Sequence, residues 1–449
     1  MMRKVLLGVA AALIVAGSVA VALRGRGAEW STRNPEALAH FRNGLEASMK
    51  YYRAEARRCF AKAAEADPSF LVAKALLLDH LDPRSGREET AALREELEAA
   101  SRETLPPRER FIVERVLAAA TRDHEKMQNL TKAFVARHPD DPFGLFSFGQ
   151  DAVLRGDVQT AKTAFERLLE IAPNWVMAYN HLGYIAMAEG KLDDAERMFT
   201  TYRYIAPDQA NPHDSLGELL LLTGRLDEAE REFELAIQAR LDFPPSYENL
   251  IRVEALRGNH AGVDAAVFRA RESGAVPEEA LAKLGCWARS WVAARDGDWA
   301  AVADLAEDQC SNALPLALAL RAALFTGRRD LAEQTLARLA KYQEAFAGAP
   351  AGKMDLDAIV HELEGIRAAS EGELERAAEL FRSAAAAGSY WGFARGWQKL
   401  GALSAQAKAL QQLGRPSEAA AVVAALRTVN PVAHEMLGRA TDLPSPPPS

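Results

Sequence analysis

Apolar positions along most of this chain recur at helical rather than strand spacing. Leu192, Ala195, Met198 and Phe199 fall on one face of a helix, the interval of three and four that a period of 3.6 residues produces. The same spacing runs through most of the 449 residues, broken by short turns with Gly or Pro. One segment differs. After Arg3 and Lys4, the run from Val5 to Leu23 is small and apolar with no polar face. As a helix it would span about 28 Å, close to the roughly 30 Å hydrocarbon core of a bilayer. Two readings stand for it: an uncleaved signal anchor, or a signal peptide cut after Ala22 at Ala20-Val21-Ala22, which fits the small-x-small rule. Its length favours the anchor. The short charged head before it places the long remainder outside the cytoplasm, although Arg24, Arg26 and Arg33 on the far side blunt the charge rule.

The pattern also repeats at a longer interval. Gly149, Gly183 and Gly217 are 34 residues apart, and so are Gly156, Gly190, Gly224 and Gly258. Ala161, Ala195 and Ala229 keep that interval, as do Phe165, Phe199 and Phe233, and Pro173 with Pro207. Each column has a physical reading. The first glycine sits mid-helix where two helices cross closely. The second ends that helix in the left-handed cap conformation. The alanine faces the first helix from the second, and the phenylalanine is expected to fill the gap between hairpins. The proline stops the second helix. Asn211 before Pro212 is expected to cap the helix that follows.

These columns resemble the tetratricopeptide repeat family, whose pattern runs W-x2-L-G-x2-Y, A-x3-F, P. One unit supplies Tyr179, Leu182, Gly183, Ala186, Ala195, Phe199 and Pro207; the next supplies His213, Leu216, Gly217, Leu220, Ala229 and Phe233, with Leu241 in place of proline. The match is strong from Pro142 to Phe243 and fades where Val263 and Val267 replace alanine and phenylalanine. Weaker copies lie at Gly44, Ala56, Phe60 and Pro68, at Gly372, Ala377 and Phe381, and at Gly414, Ala419, Val423 and Pro431. The resemblance implies an all-α solenoid of helical hairpins behind the N-terminal helix. The expected organisation is an anchor or signal peptide over 1–27, divergent repeats over 35–142, the core array over 142–274, degenerate hairpins over 275–345 turning at Gly297 and Gly327, C-terminal repeats over 353–440, and a disordered proline-rich tail over 443–449. Leu81 to Arg87 reads as a polar turn, and Phe346 to Lys353 as a break between subarrays.

Family geometry also implies which positions line the concave face. In the strong block these are Phe146, Gln150, Asn180, Tyr184, Asp214, Glu218, Glu248 and Arg252. No lysine accompanies Asn180, so a carboxylate-tail ligand is disfavoured. The acidic residues predict a partner segment with basic residues; the alternative is that these are ordinary solvated helix faces.

Charge and candidate chemistry narrow the picture. The net charge of −8 and the lack of a clustered basic stripe argue against nucleic acid as partner. Catalytic signatures are missing: His361 and His434 each precede Glu but lack a second histidine, and no G-x-S-x-G or phosphate loop is present. No cofactor, metal or catalytic residue is therefore expected. The three cysteines, Cys59, Cys286 and Cys310, read as small buried residues, with Cys286 and Cys310 free to pair if they meet. Trp287, Trp291 and Trp299 are core residues or an exposed docking patch. The expectation is a non-catalytic adaptor that binds protein segments, anchored in a bacterial inner membrane and facing the periplasm, the bacterial assignment resting on Ala/Arg-rich composition and the family resemblance. A cryptic active site between Trp287 and Trp397, or self-association through the membrane helix and the C-terminal units, are the alternatives.

Overall fold

A computed structural model describes residues 30–445 apart from 82–86, 309, 311–313 and 347–349. The apolar run from Val5 to Leu23 and the last four residues lie outside the described residues. Among the described residues the chain is helical with no strand, and no helix is long and apolar enough to cross a membrane.

Contacts divide the chain into two units. The first runs to Leu182 and takes in Tyr204–Ala206; the second comprises Gly183–Arg203 and Pro207 onward. The helices of the first unit are α1 (Pro35–Met49), α2 (Arg53–Ala66), α3 (Leu71–His80), α4 (Arg87–Ala99), α5 (Pro107–Ala120), α6 (His124–Arg137), α7 (Pro142–Leu154) and α8 (Val158–Ile171). The division falls within α9 (Val176–Ala188), and α10 (Leu192–Ile205) follows. The second unit continues with α11 (Ala210–Leu222), α12 (Leu226–Ala239), α13 (Pro244–Arg257), α14 (His260–Ser273), α15 (Glu278–Asp296), α16 (Trp299–Glu307), α17 (Leu316–Thr326), α18 (Arg329–Phe346), α19 (Pro350–Ser370), α20 (Leu374–Ala387), α21 (Gly392–Gln412), α22 (Pro416–Val429) and the short α23 (Ala433–Leu437).

Most consecutive helices pair as hairpins, and one contact recurs inside them. A Cβ built on Gly149 would lie 2.6 Å from the ring of Phe165, and on Gly217 2.5 Å from Phe233. Gly44 meets Phe60 and Gly365 meets Phe381 in the same way. The glycine is thus a socket and the phenylalanine sixteen positions later is its plug. The phenylalanine thus closes its own hairpin and also reaches the next one, as expected: Phe165 stacks on His181 at 4.7 Å, and the Phe60 ring lies 5.2 Å from His80. The second glycine column is left-handed as expected, with φ of +72° at Gly156 and +80° at Gly224. Gly297 and Gly327 end α15 and α17 in that conformation.

The first unit buries Phe41, Phe60, Phe70, Phe111 and Phe134. Trp30 joins them edge-on to Phe41, with ring centroids 4.6 Å apart. Asn34 starts α1 by accepting from the amides of Glu36 and Ala37, two of the donors a helix start leaves open. In the second unit the main core runs from Met187 and Phe199 to Leu437, and a second cluster gathers Leu320, Ile366, Phe381 and Leu443.

Several expectations change. Asn211 does not cap: α11 already begins at Ala210, and the Asn211 side chain turns to the Tyr202 hydroxyl, 3.3 Å away. Leu443 is buried, so the start of the expected tail is packed. Helix α19 begins at Pro350, inside the expected break. Leu81, at the start of the expected polar turn, is buried. Cys286 and Cys310 form a disulfide, while Cys59 stays free and half-buried.

Candidate functional site

The eight expected face residues fall into two sets. Phe146, Gln150 and Asn180 belong to the first unit, and Tyr184, Asp214, Glu218, Glu248 and Arg252 to the second. In the first unit Phe146 is half-buried, with ring centroids 6.0 Å from Phe165 and 5.5 Å from His181. Burial holds the His181 imidazole down at about 4, so it is neutral. Gln150 is half-buried one turn further along α7. Asn180 is buried and donates to the Tyr51 hydroxyl at 3.2 Å, while its carbonyl oxygen has no partner.

In the second unit the polar residues form a ladder across successive first helices. Tyr184 donates to Glu218 at 2.6 Å. Asp214 is buried and accepts from Ser246 at 2.8 Å and from Asn249 at 3.1 Å. Arg252 donates to Asn249 at 2.6 Å and reaches Glu248 at 3.5 Å. Burial first, and the Glu218 charge second, push the Asp214 carboxyl up to about 7. Burial and the same carboxylate raise the Tyr184 hydroxyl well above its ordinary value.

This face is already occupied by the chain itself. The segment entering α21 returns onto α11: the Phe393 amide donates to Glu218 at 2.8 Å, and the Trp391 ring stacks on Tyr184 at 6.0 Å. Leu222 lies against Gly396, where a Cβ would meet it at 2.7 Å. Further on, the Asn430 side chain donates to the Leu222 carbonyl at 3.0 Å. Both Glu218 oxygens are thereby used, and Asp214 and Glu248 are paired within the ladder. The hydrogen-bonding capacity of Glu218 is thus taken up within the chain by neutral donors, and Arg252 is the cation beside Glu248.

A second feature lies in the same unit. Residues of α15, α17, α18, α19 and α21 line a half-open cavity of about 600 Å³. Trp287, Trp291 and Trp397 line it, and they pack in series: Trp287 on Trp291 at 6.0 Å, Trp291 on Trp397 at 5.5 Å. Trp299 is buried elsewhere, stacked on Phe325. The three tryptophans flagged in the sequence thus split between a cavity wall and plain core. Sequence reasoning missed Arg321 and Glu362, which meet at 3.2 Å packed within the cavity wall, with Arg321 only 1% exposed. The signal was present: Arg321 is the one charged residue in the otherwise apolar helix LALALRAALFT, and buried charges are seldom tolerated without a use or a partner. Among the described residues no group of three or more His, Cys, Asp or Glu is set to hold a metal.

The hairpins, their glycine–phenylalanine closures and their left-handed caps define a helical-repeat protein with a tetratricopeptide-like fold. No family model matches the chain, and no curated protein does. Among solved structures, the chain is similar to PilW, a type IV pilus biogenesis factor, at 15% identity over 44% of this chain and 90% of PilW, with a TM-score of 0.38. A tetratricopeptide repeat protein of Parabacteroides merdae shares 14% identity over 56% of this chain and 97% of its own, with a TM-score of 0.38. Yeast Tom70 shares 16% over 71% and 67%, with a TM-score of 0.39.

Proposed function

We propose that this protein is a non-catalytic interaction scaffold that holds segments of partner proteins against the first-helix faces of its hairpins. The observation that carries this reading is the seat of the chain's own segment on α11. There the repeat face offers an aromatic ring to Trp391 and a carboxylate to a backbone amide. Rings and backbone donors are what polypeptide segments present, so a surface fitted to them suits protein partners. In the first unit Gln150 stands one repeat before Tyr184 in the same column and is half-buried, which makes that face the one to examine for a partner.

The same proposal includes a tether. Val5 to Leu23 would anchor the chain in a bacterial inner membrane with the repeats in the periplasm. The Cys286–Cys310 disulfide supports an oxidising compartment, where such bonds persist.

Photoreactive residues placed at Phe146 and at Gln150, in cells making the full chain, test the reading. A discrete protein adduct is expected from these positions and not from Phe268, which is 61% exposed on the second helix α14. Equal capture from Phe268, or no adduct from either position on α7, would reject it.

A further inference from the structure

The connection between α20 and α21 is a short strap that crosses the repeat face of the second unit. Residues 388–391 belong to no helix, and Tyr390, Trp391 and Phe393 follow one another with only Gly392 between them. Trp391 lays its ring on Tyr184 of α9, and the Phe393 amide donates to Glu218 of α11. Tyr184 and Glu218 are two of the side chains that the repeat register assigns to the first-helix face. The strap therefore lies where a partner segment would lie.

Gly392 is what allows the approach. A Cβ there would meet a Glu218 oxygen at 3.2 Å, and its φ of +76° is one that other residues adopt only with strain. Glycine lets the backbone settle close enough for the following amide to reach the carboxylate. The face thus reads a definite local pattern: a ring for Tyr184, then a glycine, then a backbone amide for Glu218.

The strap is held less firmly than the helix it leads into. Trp391 is half-buried, whereas Phe393 and Trp397 are buried and stack on each other at 5.6 Å. Helix α21 therefore has its own seat in the core. Tyr390 packs against Gly190 and Gly396, so Trp391 and Gly392 are the part that covers the polar ladder. The Trp391 amide turns inward to the Ser389 hydroxyl at 3.3 Å. Lifting off gives up a ring stack and a hydrogen bond, and Gly388 and Gly392 at its two ends supply the rotation.

We propose that the strap is a built-in occupant of the second unit's repeat face, and that this face binds partner segments in which an aromatic residue is followed by glycine, which displace the strap. The proposal rests on the reading that the repeat faces hold protein segments; it adds which segments this face takes and what guards it. A partner must compete with a tethered copy of its own chemistry, so its apparent affinity is reduced by the fraction of time the face is uncovered.

A fluorescein-labelled peptide of residues 388–395 is the probe, read by anisotropy against the purified full chain. The uncovered variant is Trp391→Ala/Gly392→Ala, which removes the stacking ring and sets a Cβ against Glu218. The peptide is expected to bind it roughly tenfold or more tightly than the parent, where only a minor uncovered state accepts a segment. Adding Glu218→Ala, or using a peptide with alanine in place of its glycine, is expected to abolish that binding. Equal binding by parent and variant would overturn the strap's role as a cover and leave the reading of the face intact. Equal binding of the glycine and alanine peptides would overturn the partner class. Binding by neither protein, with helical circular dichroism unchanged, overturns the proposal; adducts at Phe146 and Gln150 then tell whether the scaffold reading survives it. Hydrogen exchange on the unaltered chain decides the matter if the variant misfolds. The fragment 388–393 is expected to exchange ahead of α20, and faster still with excess peptide. Exchange as slow as that of α20 would mean that the strap leaves only when the unit unfolds, and the proposal would fall.

Discussion

Replacing Gly183 with alanine adds one methyl group to α9, and the structure specifies where it goes. The new Cβ would lie 2.7 Å from two carbons of the Phe199 ring. Phe199 is fully buried, so the ring has no room to swing aside. Overpacking of this kind costs about 1–3 kcal/mol, and contact with several ring atoms puts it in the upper part of that range. Against it stands the helix-propensity gain of about 1 kcal/mol for alanine over glycine. The net expectation is a loss of about 1–2 kcal/mol, a fall in Tm of roughly 3–6 °C for a unit of this size. Gly285 is the control. It is also inside a helix of the second unit, but its nearest neighbours are the tips of Arg289 at 3.4 Å, which are flexible. Gly285→Ala should therefore stabilise by up to about 1 kcal/mol. Thermal unfolding followed by tryptophan fluorescence reads the right region, because five of the seven tryptophans lie in the second unit. Combining Gly183→Ala with Phe199→Leu should cost less than the sum of the two single changes, since the shorter side chain vacates the contact. If Gly183→Ala raises Tm as much as Gly285→Ala does, the socket-and-plug account of the repeat is wrong.

Two more expectations concern charge and covalent links. Asp214 has a folded value of about 7 against about 4 for an unfolded carboxylate; the folded state therefore holds the proton more tightly, and stability is lost as pH rises from about 4 through 7, by on the order of 4 kcal/mol. Asp214→Asn keeps an oxygen for Ser246 and Asn249, so urea unfolding should show it more stable than the parent at pH 8 and nearly equal at pH 4; the same slope in both proteins would refute the assignment. The disulfide closes a loop of 24 residues, and Cys286→Ala/Cys310→Ala should lower unfolding free energy by about 3 kcal/mol. Reductant should lower the parent's Tm and leave the double variant unchanged, and an equal response of both would count against the bond.

How much of this was legible depended on how local the physics is. The glycine and phenylalanine columns could be read because each hairpin repeats the same short-range problem, at a separation of sixteen residues. Gly365 escaped only because Phe381 was aligned through its cap glycine, Gly372, although Gly365 meets its ring at that same separation. The return of α21 onto α11 could not be read. It joins Glu218 to the amide of Phe393, 175 positions away, and a backbone donor leaves no mark in the side-chain pattern. The repeat register groups the acidic residues, but their partners, Ser246, Asn249 and the chain's own C-terminal part, come from tertiary packing. Arg321 was readable as an oddity, a charge in an apolar helix, whereas the cavity around it needed five helices brought together.

Where the repeat fades, its physics persists. In the unit after the strong block, Val267 stands in the phenylalanine column and Ile251 in the glycine column. Both are buried. The plug has become smaller and the socket has filled, so the space inside the hairpin is conserved while the motif is lost. That exchange explains why the family pattern stops near Phe243 while the hairpins continue beyond it. It also bears on the cavity. Packing there follows no repeat register; it depends on where α21 sits, and α21 enters through Phe393, whose amide is held by Glu218 while its ring stacks on Trp397 at 5.6 Å. The polar ladder of the repeat face therefore fixes one end of the helix whose other residues wall the cavity. Glu218, which in the sequence looks like part of an exposed binding surface, acts in the fold as the mount for that helix.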